Sequence, residues 1–355
     1  MNGGNNIGNM KSLTLDDIAA SNLEKGEMIF DDRDHSGSLA DLAVDLLHLQ
    51  NRFWPDLAEA HHALEKLWCR RIDCEGFSVL VQHNPRRIVS TGSSTDPESL
   101  SRRPCFLCPP NLPMAQRALQ YRKNYLVLCN PVPIFREHFT IATTAHSPQA
   151  IEDHIAEFLC LAKDMMPRFI LFYNGPRCGA SAPDHFHFQA VSAGILPIEQ
   201  DMSRPDLRKH VWGNHGANLF RIKRLGREVW VLEGRDSQAI DAMLHRILDS
   251  MKRYMTPGDD PVDEPMMNII GIRDEGMWKV IIFPRRKHRP TAFYREDETR
   301  LVLTPAAVEM GGLLIAPVEQ DYHRIDEKMI REIYEEVSLD EETACNILND
   351  VAGGM

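Results

Sequence analysis

Residues 178–190 read Cys-Gly-Ala-Ser-Ala-Pro-Asp-His-Phe-His-Phe-Gln-Ala, and the alternating run from His185 to Gln189 decides the expected fold. In a β-strand successive side chains point to opposite faces, so His185, His187 and Gln189 share one face while the two phenylalanines occupy the other. A strand with one solvated polar face would show the same alternation. The glycine- and serine-rich approach over 174–181 favours a site instead, because such a loop brings backbone N–H groups close to an anion.

The segment resembles the active-site strand of the histidine-triad superfamily, in the transferase branch whose motif is H-x-H-x-Q. This branch contains galactose-1-phosphate uridylyltransferase, the diadenosine polyphosphate phosphorylases and the GDP-hexose phosphorylases, and His185–Ala190 is most similar to the last group. The resemblance is close over residues 70–200 and weak over 265–320. Three runs also resemble a bacterial family of nucleotidyltransferase-like proteins: Arg103–Pro109, Asn130–Thr143 and Phe172–Ala190.

The order of the predicted elements indicates the same architecture. Apolar strands at 125–128 and 139–142 precede a helix near 148–165, and strands at 169–172 and around His185 follow. Short connections between such elements favour an antiparallel sheet with helices on one face. We therefore expect an α+β fold of the HIT-like (uridylyltransferase-like) type, with the degenerate internal duplication that the resemblance implies.

A weak repeat supports the duplication, because two apolar strands end in histidine, at 138–146 and at 280–288. Only the first half carries H-x-H-x-Q, so only the first half should hold a nucleophile. The expected parts are a loosely ordered N-terminal tail at 1–36, a catalytic half with a zinc site at 37–200, a second, degenerate half at 201–325, and an acidic helical appendage, interpreted as solvated, at 326–355.

Cys105 and Cys108 form a C-x-x-C pair, followed by a Pro-Pro-Asn turn that lets two thiolates converge on one ion. Alone, the pair is compatible with chance, a redox couple or half of a metal site. The resemblance implies a closed tetrahedral Cys2His2 zinc site with a structural role, completed by His146 and His185. His138 is the alternative third ligand, unless it is a half-buried strand histidine bonded to backbone.

The same resemblance implies catalytic roles for two residues of the strand. With His185 used as a metal ligand, His187 is the free imidazole that would attack an α-phosphorus to form a covalent nucleotidyl-histidine. Gln189 would contact the phosphoryl oxygens. Hydrolytic members of the superfamily end this strand with a third histidine, so glutamine favours transfer to phosphate or a sugar phosphate over transfer to water.

Further residues are expected to contact the substrate. Backbone around Gly179 and the Ser181 hydroxyl would hold a phosphate, and arginines at 86–87 and 102–103 suit bidentate phosphate contacts unless they are surface residues. A basic cluster at 285–289 is either a solvated strand end or a second phosphate or sugar contact. The expected substrate-binding residues are Asn130, Asn174, Gly179, Ser181, Arg103 and Arg286.

Composition argues against several classes of partner. The chain has 355 residues, 43% of them hydrophobic, and a formal net charge of −11, so a surface for nucleic acid is not expected. No apolar run approaches the ~20 residues of a membrane span, and the N-terminal residues have no secretion-signal pattern. Eight scattered cysteines do not indicate a disulfide framework. A cytoplasmic protein is expected.

The predicted function is that of a nucleotidyltransferase of the phosphorylase type, which acts on a nucleoside diphosphate sugar or a dinucleoside polyphosphate through nucleotidyl-His187. A hydrolase of nucleotide conjugates and a zinc-stabilised nucleotide-binding protein without catalysis are the alternatives. The expected partners are a nucleotide-sugar or dinucleotide substrate and phosphate, with a possible homodimer, no nucleic acid and no membrane. Residues of irregular loops would contact the base and the sugar, so the sequence does not identify which base and which sugar are bound.

Overall fold

The computed structural model describes residues 29–31, 38–88, 97–255 and 264–353. No helix among them is long and apolar enough to cross a bilayer. The strands are β1 Ile29–Asp31, β2 Trp68–Cys74, β3 Phe77–His83, β4 Ala118–Tyr121, β5 Tyr125–Cys129, β6 His138–Thr143, β7 Phe169–Asn174, β8 His187–Ser192, β9 Arg208–Gly213, β10 Ala217–Ile222, β11 Val229–Gly234, β12 Met267–Asp274, β13 Met277–Pro284 and β14 Leu313–Ala316. The helices are α1 Leu39–Phe53, α2 Pro55–Leu64, α3 Pro97–Ser101, α4 Ile155–Asp164, α5 Ile198–Asp201, α6 Ser237–Met255, α7 Ala307–Met310, α8 Glu319–Arg324, α9 Glu327–Val337 and α10 Glu341–Gly353.

Eleven strands form one sheet in the order β1-β4-β5-β6-β8-β7-β12-β13-β11-β10-β9. All neighbours are antiparallel except β1 and β4, which are parallel. At the centre β7 pairs with β12, where Leu171 lies opposite Gly271 and Asn174 opposite Asn268. Gly271 is required there because a Cβ would lie 2.5 Å from the Phe158 ring. The predicted α+β fold on an antiparallel sheet is confirmed.

The strand order also shows the internal duplication. Strands β4, β5 and β6, helix α4 and strands β7 and β8 are followed by β9, β10 and β11, helix α6 and strands β12 and β13. Both sets have the same order in the sheet, with the last strand inserted between the third and the fourth. The predicted correspondence between 138–146 and 280–288 is wrong, because β6 corresponds to β11 and β13 takes the position of β8.

The two faces of the main sheet are covered by different layers. Helices α1, α2, α4, α6 and α10 pack on one face, over a core that includes Tyr173, Phe186 and Phe188. The opposite face packs against a smaller sheet in the order β14-β3-β2 and against α7, α8 and α9. The three longest described helices, α1, α6 and α10, therefore lie on the same face of the main sheet, in agreement with the prediction. The smaller sheet and the helices on the opposite face were not predicted.

Strand β8 shows the alternation expected from the sequence, but it begins at His187. Phe186, immediately before the strand, and Phe188 within it are fully buried in the helix-covered core. Since neighbouring side chains alternate, His187 and Gln189 point to the opposite face, toward the smaller sheet. His185 lies in the turn that precedes the strand rather than within the strand.

The two C-terminal helices belong to the core. Helix α9 buries Ile330 and Tyr334 against the second layer, and α10 buries Ile347 and Leu348 on the face that carries α6. The interpretation of 326–355 as a solvated appendage is therefore wrong, because each helix has an apolar stripe that needs a partner. The boundaries at 36, 200 and 325 stay predictions, and the 1–36 tail lies mostly outside the described residues.

Candidate functional site

Cys105, Cys108, His146 and His185 lie together, with all four ligand atoms within 4.8 Å of one another. The Nδ1 atoms of the two histidines are 3.3 Å apart, and Cys108 Sγ lies 3.3 Å from Nδ1 of His146 and 3.5 Å from Nδ1 of His185. In a tetrahedral zinc site with bonds of about 2.0–2.3 Å, nitrogen and sulfur ligands are separated by about 3.3–3.6 Å. The four predicted residues therefore fit a tetrahedral metal ion.

Neighbouring contacts hold the ligands of this cluster in place. His185 Nε2 donates to the Thr143 carbonyl oxygen at 2.8 Å, which leaves Nδ1 as the lone-pair nitrogen that faces the other ligands. The Asn111 side chain donates to the Cys105 carbonyl at 2.9 Å and closes the turn after the cysteine pair. The Thr143 carbonyl and the Asn111 side chain, both outside the cluster, therefore help to fix the positions of His185 and Cys105.

His187 is the first residue of β8 and is buried. Its Nδ1 lies 2.9 Å from the His185 carbonyl oxygen. A carbonyl oxygen only accepts, so Nδ1 carries the proton and Nε2 carries the lone pair. Burial lowers the pKa of His187 to about 4, so the imidazole is neutral at pH 7. The ring is therefore held in one orientation and one tautomer.

Gln189 lies two residues further along β8 on the same face. The Ile134 backbone N–H donates to His138 Nδ1 at 3.3 Å, so Nε2 is the protonated nitrogen of His138. This nitrogen donates to Gln189 Oε1 at 2.8 Å. Burial lowers the pKa of His138 to about 3 and keeps its ring neutral. Because Oε1 is occupied, the Gln189 amide NH2 is the group left for a ligand, and the alternative role of His138 as a metal ligand is wrong.

Asn130 lies on the neighbouring part of the same face. Its Oδ1 accepts from the Val132 N–H at 3.0 Å, and its Nδ2 donates to Thr140 Oγ1 at 3.2 Å. Thr140 lies directly opposite Gln189 in the pairing of β6 with β8. Asn130 therefore lies near Gln189, with the Thr140 side chain between them.

Asn174 ends β7, and its side chain is held by the second half of the chain. Its Oδ1 accepts from Asn268 Nδ2 at 2.9 Å and from the Ala307 N–H at 2.8 Å. Arg285 donates to Asn268 Oδ1 and to several backbone carbonyls, and it is fully buried rather than a solvated strand end. Since both lone pairs of the Asn174 oxygen are used, its amide NH2 is the group left for a ligand.

The glycine-rich loop lies between the metal cluster and β7. Gly179 has a φ of +100°, and a Cβ there would lie 2.6 Å from Ala306 Cβ, so the position requires glycine. Ser181 is exposed, and its carbonyl accepts from Arg103 Nη2 at 3.2 Å. Arg103 Nη2 also lies 3.5 Å from Asp184, and its Nη1 is buried without a hydrogen-bond partner among the described residues. The predicted loop residues are thus brought together.

Arg286 makes its contacts elsewhere. It is exposed, and its guanidinium donates to the carbonyls of Glu336 at 3.0 Å and Glu335 at 2.9 Å, at the end of helix α9. The last carbonyls of a helix have no partner within the helix, so this arginine caps α9. Its described contacts are with that helix rather than with β8 or the glycine-rich loop.

An arginine that follows the smaller sheet's strand β3 lies near His138, the residue that orients Gln189. The charge of Arg87, just after β3, adds to the effect of burial in lowering the pKa of His138. Glu309 lies near Arg87 and Arg285, and burial raises the pKa of this carboxyl above its usual range. The buried Arg285 and the partly buried Arg87 therefore lie near residues that hold Asn174 and Gln189, in a chain whose net charge is negative.

Gln149 is a site residue that the sequence analysis did not identify. It is 2% exposed, and its Oε1 accepts from the His187 N–H at 2.8 Å. Its Nε2 donates to the carbonyls of His187 at 2.9 Å and Asn174 at 3.0 Å. The available sequence signal was a glutamine three residues after His146, near a predicted helix start. Polar residues are common there, so the signal was too weak to use.

Two family models match separate parts of the chain. One, described as a domain of unknown function (DUF4922), matches residues 46–192, and the other, described as GDPGP1-like, C-terminal domain, matches residues 267–352. The first range contains the metal cluster, His187 and Gln189. The second contains Asn268 and Arg285. No curated protein matches the chain.

Crystal structures of yeast Ap4A phosphorylase Apa2 share the fold. The structure of that enzyme alone superposes with a TM-score of 0.51 and 13% identity, over 80% of this chain and 94% of that chain. Its complex with AMP gives a TM-score of 0.52 and 11% identity, over 84% of this chain and 96% of that chain. The chain therefore has the fold of the Ap4A phosphorylase Apa2, and the predicted fold is confirmed.

Proposed function

We propose that the protein is a nucleotidyltransferase of the phosphorylase type, which transfers a nucleoside monophosphate unit through a covalent bond to His187 Nε2. The proposed donor is a nucleoside diphosphate sugar or a dinucleoside polyphosphate, and the proposed acceptor is phosphate or a sugar phosphate. The shared fold with Ap4A phosphorylase, which has been crystallised with AMP and with Ap4A, supports this class of substrate.

The observation that carries the proposal is the 2.9 Å hydrogen bond from His187 Nδ1 to the His185 carbonyl oxygen. It leaves the Nε2 lone pair available in a neutral ring, which is the form of imidazole that attacks phosphorus. The carbonyl also stabilises the positive charge that develops on the ring as Nε2 forms its new bond. A solvated strand histidine would need neither a buried ring nor a single tautomer.

Two amide groups support the role of this nucleophile. Gln189 and Asn174 each have the side-chain oxygen occupied by protein donors, so each is oriented with its NH2 group left for a ligand. Donors fixed in this way can stabilise the charge that builds on the non-bridging oxygens of the phosphoryl group, without the cost of reorienting during the reaction. Arg103 and the loop around Gly179 would hold the rest of the phosphate chain.

The proposed reaction has two displacement steps. In the first, His187 Nε2 forms a bond to the α-phosphorus while the bond from phosphorus to the bridging oxygen breaks, and the leaving group departs with that oxygen. In the second, an oxygen of phosphate attacks the same phosphorus, and the electron pair of the P–N bond returns to Nε2. The product is a nucleoside diphosphate, and no group is oxidised or reduced.

The Cys2His2 cluster would hold a structural zinc ion, with Cys105, Cys108, His146 and His185 as its ligands. A bound zinc ion supplies cross-linking here, since the protein fills all four tetrahedral positions. The ligand His185 presents the carbonyl that orients His187. The cluster therefore joins the 105–108 turn to the start of the catalytic strand.

Labelling of the protein tests the proposal. Nucleoside diphosphate sugars and dinucleoside polyphosphates that carry label at the α-phosphorus, incubated without phosphate, should label the protein through an acid-labile, base-stable bond. His187→Ala should take up no label. His62→Ala, at a histidine whose side chain is 65% exposed, should label like the wild type. Label that persists on His187→Ala would refute the assignment.

The alternatives give different results in the same assay. Excess phosphate should accelerate turnover and yield a nucleoside diphosphate. Release of a nucleoside monophosphate at a rate that phosphate does not change would identify a hydrolase. Tight nucleotide binding without any label on the wild type would identify a binding protein that has lost catalysis.

A further inference from the structure

The pairing of β7 with β8 ends just before the two candidate active-site residues. The last described pair places Phe172 opposite Gln189. The same register, continued by two residues, would place Asn174 opposite His187. The end of this ladder therefore coincides with the point at which the proposed nucleophile and one of its donors face each other.

Backbone directions show which hydrogen bond is missing from the ladder. The Phe186 carbonyl accepts from the Thr143 N–H at 3.1 Å, on the β6 side of the strand. Backbone groups of successive residues in a strand face opposite neighbours, so the N–H and carbonyl of His187 face β7. On the other strand, the Gly175 N–H donates to the Met267 carbonyl at 3.1 Å, so Asn174 faces β8. A regular ladder would join the His187 N–H to the Asn174 carbonyl.

The side-chain amide of Gln149 takes the place of this ladder bond. Its Oε1 accepts from the His187 N–H at 2.8 Å, and its Nε2 donates to the Asn174 carbonyl at 3.0 Å. A single N–H to carbonyl bond of about 2.9 Å is thus replaced by two bonds with an amide between them. Two bonds with an amide between them span a longer distance than the single bond of a regular pair, in which opposite Cα atoms lie about 5.5 Å apart.

Gln149 is itself held in position. Its backbone N–H donates to the Pro183 carbonyl at 3.0 Å, and its side chain is 2% exposed. It follows His146 by three residues, and Pro183 precedes His185 by two, so both segments that place the amide are anchored at the metal cluster. A side chain fixed at both ends in this way can define a distance between strands.

We propose that Gln149 is a positioning residue that holds β7 and β8 apart at Asn174 and His187, and so sets the width of the gap in which the phosphoryl group is bound. This inference rests on the proposed function of His187. A phosphoryl group has to fit between the His187 ring and the Asn174 amide, and the two side chains leave neighbouring strands on the same face. Without the inserted amide, the direct ladder bond would draw them together.

Two substitutions distinguish an effect of the gap width on the rate from an effect of the lost hydrogen bonds. Gln149→Ala removes the amide and allows the direct bond to form, so the rate of nucleotidyl-His187 formation in a single turnover should fall by about 10²-fold, the usual effect of a displacement of about 1 Å. Gln149→Met makes no such hydrogen bonds but keeps a side chain of similar length, so its rate should lie within about tenfold of the wild type.

Gln50 provides a matched control. It is equally buried, and its amide also joins backbone groups, with Nε2 donating to the Ala115 carbonyl at 3.0 Å and Oε1 accepting from the Arg117 N–H at 2.7 Å. Gln50→Ala should lower the melting temperature about as much as Gln149→Ala does, with a labelling rate close to the wild type. Equal rates for the alanine and methionine variants of Gln149, or a wild-type rate for Gln149→Ala, would overturn the proposal.

A crystal structure of Gln149→Ala tests the inference separately from the chemistry. It should show the His187 N–H bonded directly to the Asn174 carbonyl, whereas strands that stay apart in this variant would overturn the role of the amide. If the wild type takes up no label on His187, the proposed function fails, and the structure of the variant still decides whether Gln149 separates the strands.

Discussion

His138 and Gln189 allow a test of how the site orients its amide. Replacing Gln189 with alanine should slow nucleotidyl transfer by roughly 10²-fold or more without unfolding the protein, because one preorganised donor is lost. Replacing His138 with phenylalanine keeps a ring in the buried site but removes the donor to Gln189 Oε1. The Gln189 amide can then rotate and present its oxygen, rather than its NH2 group, to the phosphoryl group.

The bond itself gives the size of the effect. It is a 2.8 Å hydrogen bond between neutral groups, and His138 is 1% exposed, so its net contribution is about 1–1.5 kcal/mol. This corresponds to a decrease of about tenfold in the population of the productive amide orientation. His138→Phe should therefore be about tenfold slower than the wild type. The double variant should be no slower than Gln189→Ala alone, because His138 acts only through Gln189.

Single-turnover labelling of His187 measures all four proteins, and thermal unfolding checks that each is folded. His154→Phe is the control, since it removes a histidine that is bonded to Tyr125 on the helix-covered face. Its labelling rate should stay near that of the wild type. A double variant that is about 10³-fold slower would show that the two losses multiply, and the proposed dependence of His138 on Gln189 would be refuted.

Three further predictions concern stability. Cys108→Ser should lower metal content and melting temperature together, whereas Cys160→Ser, at a cysteine outside the cluster, should change neither; full metal content in Cys108→Ser would show that the ligand set is wrong. Phe188→Ala should lower the free energy of unfolding by about 3–5 kcal/mol in urea titrations, because its ring is fully buried, and a loss below 1 kcal/mol would contradict the packing. Burial raises the pKa of Glu264 to about 7, so the folded state keeps this proton at pH values where the unfolded state has lost it. The free energy of unfolding should therefore fall by up to about 3 kcal/mol as the pH rises from about 4.5 to above 7. Glu264→Gln should remove that decline, and a pH slope unchanged in this variant would contradict the assignment.

Several features of the site could be predicted because they depend on local order along the chain. The alternation of His187 and Gln189 with Phe186 and Phe188 follows from the two-residue period of a strand. The metal cluster followed from motif order and from the resemblance, since C-x-x-C is a recognisable ligand pair. His185 was placed on the strand instead of before it, because the end of a strand depends on partners that the local sequence does not show.

The role of the C-terminal region was predicted less well. Its acidic composition suggested a solvated appendage, but helices α9 and α10 bury their apolar stripes on opposite faces of the main sheet. The degenerate half was expected to lack a nucleophile, and its contribution to the site is instead Asn268, supported by Arg285. Neither residue belongs to a recognisable motif, because both act through buried hydrogen bonds, Asn268 to the distant Asn174 and Arg285 to Asn268 and to several backbone carbonyls.

The sequence by itself determined the α+β class and the alternating faces of β8, since periodicity is a property of neighbouring residues. Motif order, read together with the family resemblance, indicated the residues of the metal cluster and the proposed nucleophile. Only the tertiary structure decided which way the amides of Gln189 and Asn174 point and where the amide of Gln149 lies. These side chains are oriented by partners 51, 94 and 38 positions away in the chain. A hydrogen bond depends on distance and direction in space, and the fold sets both when it brings separate strands and loops together.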